Sequence, residues 1–117
     1  MAVDCGFLFP FRNPDFNQKT WDNLYKDDLG LAAYSEELGL DHIWLTEHHF
    51  IEDGYSPSLM PIATALAAKT QTIRIGTFVL LLPLHNTVRL AEDIATADAI
   101  SGGRIDIGLG LGYRVGE

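Results

Sequence analysis

Four short apolar segments alternate along the chain with three stretches of helical periodicity, and this alternation limits the possible folds more than any other feature. The apolar segments, which read as buried strands, are residues 3–9, 42–46, 73–82 and 104–109. Strands that alternate with helices predict a parallel sheet joined by right-handed crossovers. We therefore expect a single α/β domain over residues 1–117, with four strands and three helices.

The three helices are indicated by apolar spacing and by residues that start or stop helices. The first should end at Gly39 and bury the face made of Trp21, Leu24, Leu31 and Leu38. The second should begin within 56–58, where a proline costs no hydrogen bond, and continue through an alanine-rich stretch. Asn86 should cap the third, which ends at Gly102-Gly103 and has the inner face Leu90, Ile94, Ala97 and Ile100.

Two architectures accommodate this order of elements. A small doubly wound sheet closes at about this length. An eight-stranded barrel of β/α units needs roughly 250 residues, so 117 residues would form about half of one. The residues alone leave both open. In either case ligands bind at the edge formed by the carboxyl ends of the parallel strands.

Composition excludes several classes of function. Hydrophobic residues make up 47% of the chain and charged residues 21%, which excludes intrinsic disorder. The longest apolar run, 78–84, is far shorter than the roughly 20 residues that span a bilayer. The net charge of −8, with no basic stripe, argues against binding to nucleic acid or to anionic membranes. One cysteine, Cys5, and no visible signal peptide lead us to expect a cytoplasmic protein.

Side chains that can carry chemistry follow the second strand directly, in the sequence Glu47-His48-His49-Phe50. A histidine at the ligand-binding edge can take or give a proton near neutral pH, and a neighbouring carboxylate can orient it. Adjacent histidines in an extended segment point to opposite sides. We therefore expect one to face the site and the other to pack or bond inward. Two hydrogen-bonded loop residues without a catalytic role are the alternative.

A metal site is a further interpretation of the same cluster. Glu47, His48, His49 and His85 could supply ligands. Catalytic zinc sites usually place two histidines on one helix face, as in His-Glu-x-x-His, and that spacing is absent here. We therefore expect no metal.

Alternating glycines follow the fourth strand, in Gly108-Leu109-Gly110-Leu111-Gly112-Tyr113. Such glycines let a flat ligand or a phosphate approach the backbone, although glycines that only bend the strand end are an equal alternative. The run differs from the dinucleotide fingerprint Gly-x-Gly-x-x-Gly, which opens a helix after a first strand.

Taken in order, these segments resemble the N-terminal part of the bacterial luciferase-like flavin monooxygenases. The matching stretches are Gly6 to Phe9, Glu37 to Phe50, Ile75 to Thr77, Leu82 to Asp93, and Ser101 to Arg104 with the glycines after it. They recur in order over nearly the whole chain. The resemblance implies about half of a (β/α)8 TIM barrel, comprising its first four strands and three helices.

The resemblance also implies a chemistry. Members of the family bind reduced flavin mononucleotide (FMN), or a deazaflavin in one branch, and many use dioxygen to insert one oxygen atom into a small organic substrate. By position, His48 matches an acid/base histidine near the flavin, and Glu47 a flavin-site carboxylate. Thr77-Phe78-Val79 matches a segment that often holds a non-prolyl cis peptide against the flavin ring. We expect Gly110 and Tyr113 to contact the cofactor as well.

Two positions depart from the luciferases. Gly110 stands where they carry a reactive cysteine, and Leu111 where they carry an arginine that helps to hold the phosphate, so we do not expect light emission. The family's main phosphate site comes from later strands, which implies weak FMN binding by these residues alone. A flavin reductase would supply the reduced cofactor. An uncovered sheet face and unpaired strand edges predict a homodimer or higher oligomer.

Overall fold

The elements follow one another in the predicted alternation. The computed structural model describes residues 3–114 and 116. The strands are β1 (Gly6–Phe9), β2 (His42–Leu45), β3 (Arg74–Leu81) and β4 (Ile105–Gly110). The helices are α1 (Trp21–Glu37), α2 (Leu59–Lys69) and α3 (Thr87–Ser101), and a short 3-10 helix, Leu82–Leu84, links β3 to α3.

All the strand pairings in the sheet are parallel, and the strands lie side by side in the order β1-β2-β3-β4. Each strand is therefore added next to the one before it. A doubly wound sheet reverses its strand order at a switch point, whereas a barrel wall keeps the strands in sequence. The strand order decides between the two architectures in favour of part of a barrel.

The helices cover one face of the sheet and form the core with it. Ile43 and Leu45 of β2 and Ile75 of β3 point to this face and are almost fully buried. Helix α2 supplies most of the opposing surface, including Leu66, which is also buried. Fully burying side chains of this size contributes about 1.5–3 kcal/mol each. This layer fixes the strands, and with them the positions of the residues that follow each strand.

The ends of α3 are formed as the sequence predicts. The Asn86 side chain accepts the backbone N–H of Arg89 at 3.1 Å, which satisfies one of the free donors of the first turn. Gly102 ends the helix with a φ of 71°, a left-handed conformation that glycine adopts without steric cost. No helix in the described part of the chain is long and apolar enough to cross a membrane.

The inner faces predicted for α1 and α3 are wrong in part. Leu24 is buried, but Trp21, Leu31 and Leu38 are 48%, 60% and 58% exposed. Helix α1 instead turns Ala32 and Ser35 inward, because small side chains allow the helix to lie close to the sheet. In α3, Leu90 and Ala97 are buried and Ile94 is partly buried, whereas Ile100 is 49% exposed.

The predicted strand boundaries differ from the observed ones by at most three residues. β1 begins at Gly6 rather than at residue 3, because its pairing with β2 begins where Gly6 lies beside His42. β4 begins at Ile105 and runs one residue beyond the predicted end, to Gly110. The second helix begins at Leu59, just after the predicted start region. The order and type of the elements are therefore confirmed, with small changes at their ends.

The opposite face of the sheet is filled by side chains near the amino ends of the strands and is open toward their carboxyl ends. Arg74 of β3 and Asp106 of β4 form a bidentate ion pair, in which Nε lies 2.7 Å from Oδ2 and Nη2 lies 2.5 Å from Oδ1. The Trp44 ring lies over Gly76, where a Cβ atom would overlap the indole. Above this layer Leu8 and Phe78 are 47% and 62% exposed. A cleft therefore remains at the carboxyl ends of the strands.

Candidate functional site

The cleft has a volume of about 450 Å³ and is lined by residues of β1, β3 and β4, by the segment after β2 and by the segment after β4. Most of its lining is apolar, and its polar side chains come mainly from the segment after β2. The lining residues are Leu8, Thr46, Glu47, His48, Phe78, Val79, Leu81, Gly110, Leu111, Gly112 and Tyr113. A largely apolar cavity of this size with a few converging polar groups is typical of small-molecule sites.

Six of the seven residues that the sequence assigned to the site line this one cleft. They are Glu47, His48, Phe78, Val79, Gly110 and Tyr113. Thr77 lies on the other side of β3, where its Oγ1 donates to Gly108 O at 2.9 Å and accepts Gly108 N–H at 3.0 Å. Thr77 therefore holds β3 against β4 and has no place in the cleft lining.

Glu47 joins the segment after β2 to the end of β3. Its side chain is fully buried, and Oε2 accepts the backbone N–H of Leu81 at 2.8 Å. Oε1 lies 2.7 Å from Nε2 of His49 and 3.2 Å from Nε2 of His85. One buried carboxylate thus binds a backbone amide and two imidazoles, which satisfies it without solvent.

The two adjacent histidines point in different directions, as expected for an extended segment. His48 lines the cleft, and its ring meets the Tyr55 ring edge-to-face with centroids 4.5 Å apart. His49 turns inward to Glu47. The structure thus distinguishes the histidine that faces the cleft from the one that supports its wall.

A second layer of contacts supports Tyr55 from behind. The Arg12 guanidinium lies over the Tyr55 ring at 4.8 Å from its centroid. Arg12 is in turn bound to Asp53, with Nε–Oδ2 2.7 Å, and this hydrogen bond raises the pKa of the guanidinium. These contacts link the loop after β1 to the loop after β2, and they give the wall behind His48 a defined geometry.

The β3 side of the cleft departs from regular strand geometry. The peptide bond between Phe78 and Val79 is cis, as the resemblance implied for this segment. The pairing of β3 with β4 shifts register between Thr77 and Leu80, so β3 contains one extra residue there. Both Phe78 and Val79 consequently border the cleft, whereas Leu80 returns to the buried core.

Gly110 packs closely against Val79 across the sheet. A Cβ atom there would overlap a methyl group of Val79. The absence of a side chain therefore lets β3 and β4 approach each other beside the cleft. Leu111 and Tyr113, which follow, line the cleft but are more than four-fifths exposed.

The residues considered as metal ligands are used in other ways. Glu47 is occupied by Leu81, His49 and His85. Across residues 3–114 and 116, no group of three or more His, Cys, Asp or Glu side chains is arranged to hold a metal ion. The cleft lining contains neither lysine nor arginine. Arg114 lines a neighbouring pocket that shares Leu111, Gly112 and Tyr113 with the cleft.

Three contributors to the site were not identified from the sequence. Thr46 lines the cleft, Tyr55 packs against His48, and His85 binds Glu47. His85 entered the sequence argument only as a metal ligand. Its actual partner lies 38 residues earlier in the chain, and no local spacing signals such a contact. Thr46 could have been noted, because it is the last residue before Glu47 in a predicted strand.

Comparison with known proteins identifies relatives across nearly the whole chain. The family model described as "Luciferase-like monooxygenase" matches residues 3–117. The alkanal monooxygenase alpha chain of Photorhabdus laumondii is 35% identical over 104 residues, which are 89% of this chain and 28% of that protein. The oxygenase component of the flavin-dependent trigonelline monooxygenase of Acinetobacter baylyi is 33% identical over 96 residues, 82% of this chain and 27% of its own length. The chain therefore spans about a quarter of these curated relatives.

Solved structures share the fold. Monooxygenase RslO1 from Streptomyces bottropensis superposes with a TM-score of 0.87 at 33% identity, covering 97% of this chain and 35% of that one. A coenzyme F420-dependent tetrahydromethanopterin reductase from Methanopyrus kandleri gives a TM-score of 0.74 at 25% identity, covering 97% of this chain and 28% of that one. The four-stranded unit thus occurs in both a monooxygenase and an F420-dependent reductase.

Proposed function

The chain belongs to the luciferase-like monooxygenase family, and on that premise we propose that it provides the flavin-binding cleft of an FMN-dependent monooxygenase. The substrate would be a small organic molecule and the oxidant dioxygen. The observation that carries the proposal is the placement of His48 in the apolar cleft, next to Glu47 and opposite Phe78 and Val79.

The cleft fits the ring system of a flavin. Its volume of about 450 Å³ lies in the range of small-molecule sites, and Leu8, Phe78 and Val79 offer apolar surfaces to a flat ring. Thr46 contributes a buried hydroxyl oxygen that has no hydrogen-bond partner in the described part of the chain. Since the lining has no lysine or arginine, the phosphate would lie outside the cleft.

His48 is the residue that we expect to transfer protons. Reduced flavin, when bound, supplies the two electrons with which dioxygen gives one oxygen atom to the substrate and the other to water. His48 would hold or donate a proton at this reaction, because an imidazole is the side chain best suited to do so near neutral pH. Tyr55 sets the orientation of the His48 ring from one side. The Leu81 amide bound by Glu47 keeps the facing wall in place.

Oxygen transfer is tested with labelled dioxygen. The complete gene product that contains these residues is supplied with reduced FMN and ¹⁸O₂ and offered aldehydes, ketones and aromatic N-heterocycles. We expect one ¹⁸O atom in a product of at least one substrate class, and the loss of this product in His48→Ala. Binding of FMN without any labelled product would instead favour a non-catalytic flavin-binding module.

A deazaflavin-dependent oxidoreductase is the second candidate, because the fold is shared with an F420-dependent reductase. Such an enzyme would transfer a hydride between F420 and its substrate and would incorporate no oxygen. Parallel titrations with FMN and F420 distinguish the two candidates. Tighter binding of F420, together with unlabelled product, would support the second.

The exposed sheet face supports a proposal about assembly. Leu8 and Phe78 on this face are 47% and 62% exposed, and Phe7, on the helix side of β1, is 55% exposed. β1 and β4 each have one edge without a neighbouring strand in the described sheet. We infer that the 117-residue chain forms a homodimer or higher oligomer in which these surfaces are covered. Sedimentation at low micromolar concentration tests this, and a well-folded monomer would contradict it.

Two further expectations accompany the proposal. A flavin reductase is the partner that would supply reduced FMN, as the similarity to the oxygenase component of a flavin-dependent monooxygenase suggests. Cys5 is a free, exposed thiol, which suits a cytoplasmic protein. Coupled assays with an NADH-dependent reductase and fractionation of cells test these two points.

A further inference from the structure

One buried polar atom in the cleft lining is left without a partner. Thr46 is 7% exposed, and its Oγ1 makes no hydrogen bond to any described residue. The hydroxyls of the other buried threonines in the described residues are hydrogen-bonded. Thr70 Oγ1 donates to Leu66 O at 2.8 Å, and Thr77 Oγ1 donates to Gly108 O at 2.9 Å. Buried hydroxyls are nearly always hydrogen-bonded, so Thr46 is an exception within residues 3–114 and 116, and a bound molecule could supply its partner.

The position of Thr46 indicates where that partner would come from. Thr46 follows β2 two residues after Trp44, on the face of the sheet that is open toward the cleft. Its neighbours in the lining include the apolar side chains of Leu8 and Phe78. A rotation of about 120° around χ1 moves the hydroxyl of a threonine to another staggered position, so the hydroxyl can turn toward a molecule in the cleft.

We propose that the Thr46 hydroxyl is a hydrogen-bonding group of this cleft and donates to an uncharged carbonyl oxygen or ring nitrogen of the bound flavin ring. The inference rests on the proposed function, which identifies the ligand as a flavin. It adds a contact that selects a ring with an acceptor at this position over an apolar ring of the same size. Loss of one such hydrogen bond lowers affinity by up to about tenfold.

The test compares three variants of the complete gene product in equilibrium titrations with FMN, followed by flavin fluorescence. Thr46→Val removes the hydroxyl and keeps the shape, and we expect it to weaken FMN binding about tenfold. Thr46→Ser keeps the hydroxyl and should bind within about twofold of the wild type. Thr64→Val makes the same chemical change in α2, where Oγ1 donates to Met60 O, and should leave the affinity unchanged.

Thermal unfolding without flavin gives an independent result. Because the Thr46 hydroxyl has no hydrogen-bond partner among the described residues, Thr46→Val should leave the melting temperature unchanged or raise it. Thr77→Val, which loses both hydrogen bonds to Gly108, should lower it. An unchanged FMN affinity in Thr46→Val, or a melting temperature lowered as far as in Thr77→Val, would overturn the inference. A wild-type protein that binds no FMN would instead overturn the proposed function itself.

Discussion

Oε2 of Glu47 accepts the backbone N–H of Leu81 at 2.8 Å, and this contact joins the residue beside His48 to the end of the neighbouring strand. Because His49 and His85 bind the other carboxylate oxygen, a single buried side chain holds both walls of the cleft at a fixed separation.

Replacing Glu47 should therefore destabilise the protein as a whole. Glu47→Ala leaves the Leu81 amide buried without an acceptor and removes the partner of two imidazoles, so we expect a loss of about 2–4 kcal/mol in the free energy of unfolding. Glu47→Gln retains an acceptor for the amide and should lose less. Urea denaturation measures both.

A surface ion pair provides the control for this experiment. Lys19 and Asp27 are 2.8 Å apart, and their side chains are 38% and 55% exposed. Solvent screens exposed ion pairs, and they contribute little to stability, so Asp27→Asn should have little effect. If Glu47→Ala were as mild as Asp27→Asn, the buried carboxylate would not connect the two strand ends.

The two histidines should respond to substitution in opposite ways. His48→Ala removes a side chain of the cleft wall and should lower turnover by about 10²–10⁴, the contribution of general acid–base catalysis, with little change in stability. His49→Ala removes a hydrogen bond to Glu47 and should lower stability by about 1 kcal/mol. Full turnover in His48→Ala would show that another group transfers the proton.

Acid stability should depend on a carboxylate remote from the cleft. Burial by itself would raise the pKa of Glu36, but hydrogen bonds from the backbone N–H groups of Ile73, Thr72 and Gln71 and from the Thr72 hydroxyl outweigh it and lower the pKa from 4.5 to about 2. A carboxyl whose pKa falls on folding stabilises the fold at pH values above its unfolded pKa. This stabilisation is then lost as the pH falls through the folded pKa.

The loss should therefore lie between about pH 4.5 and about pH 2. Glu36→Gln cannot ionise, so its unfolding midpoint should fall less steeply over this range than that of the wild type. Chemical denaturation at several pH values provides the measurement. Parallel curves for the two proteins would mean that the carboxylate, which joins α1 to the turn before β3, does not contribute in its charged form.

The 117-residue chain by itself should bind FMN weakly or not at all. Its cleft offers surfaces for the ring but no lysine or arginine for the phosphate. Each missing charge-assisted contact costs roughly 1.5–3 kcal/mol, and several together reduce affinity by orders of magnitude. Calorimetric titration at micromolar concentration is suitable, and a sub-micromolar complex of the monomer would show that a phosphate site lies within these residues.

The sequence was sufficient for the order of elements because each strand is a compact apolar run and each helix has recognisable ends, such as Asn86 and Gly102. It was less successful with helix faces. Leu31 and Leu38 have helical spacing with Leu24, but they lie beside the unpaired edge of β1 in an apolar groove. Periodicity shows which residues share a face, and only the packing of neighbouring elements shows which face is covered.

The candidate site was predictable in so far as it follows from topology. The carboxyl ends of parallel strands meet at one edge, which is why Glu47, just after β2, and Gly110, the last residue of β4, line the same cleft. The hydrogen bonds within the site could not be predicted. The contact between Glu47 and His85 depends on the path of the short helix after β3. The missing hydrogen-bond partner of the Thr46 hydroxyl can be recognised only when all of the neighbours of Thr46 are known.

Hydrogen–deuterium exchange of the complete gene product, measured by mass spectrometry with and without saturating FMN, tests most directly whether flavin binds in this cleft. We expect slower exchange on FMN binding in the segments 46–50, 77–82 and 108–114, which contain all of the cleft lining except Leu8. We expect no change in α1, which lies on the far side of the sheet. Unchanged exchange in these three segments, with FMN bound elsewhere, would contradict binding of the flavin in this cleft.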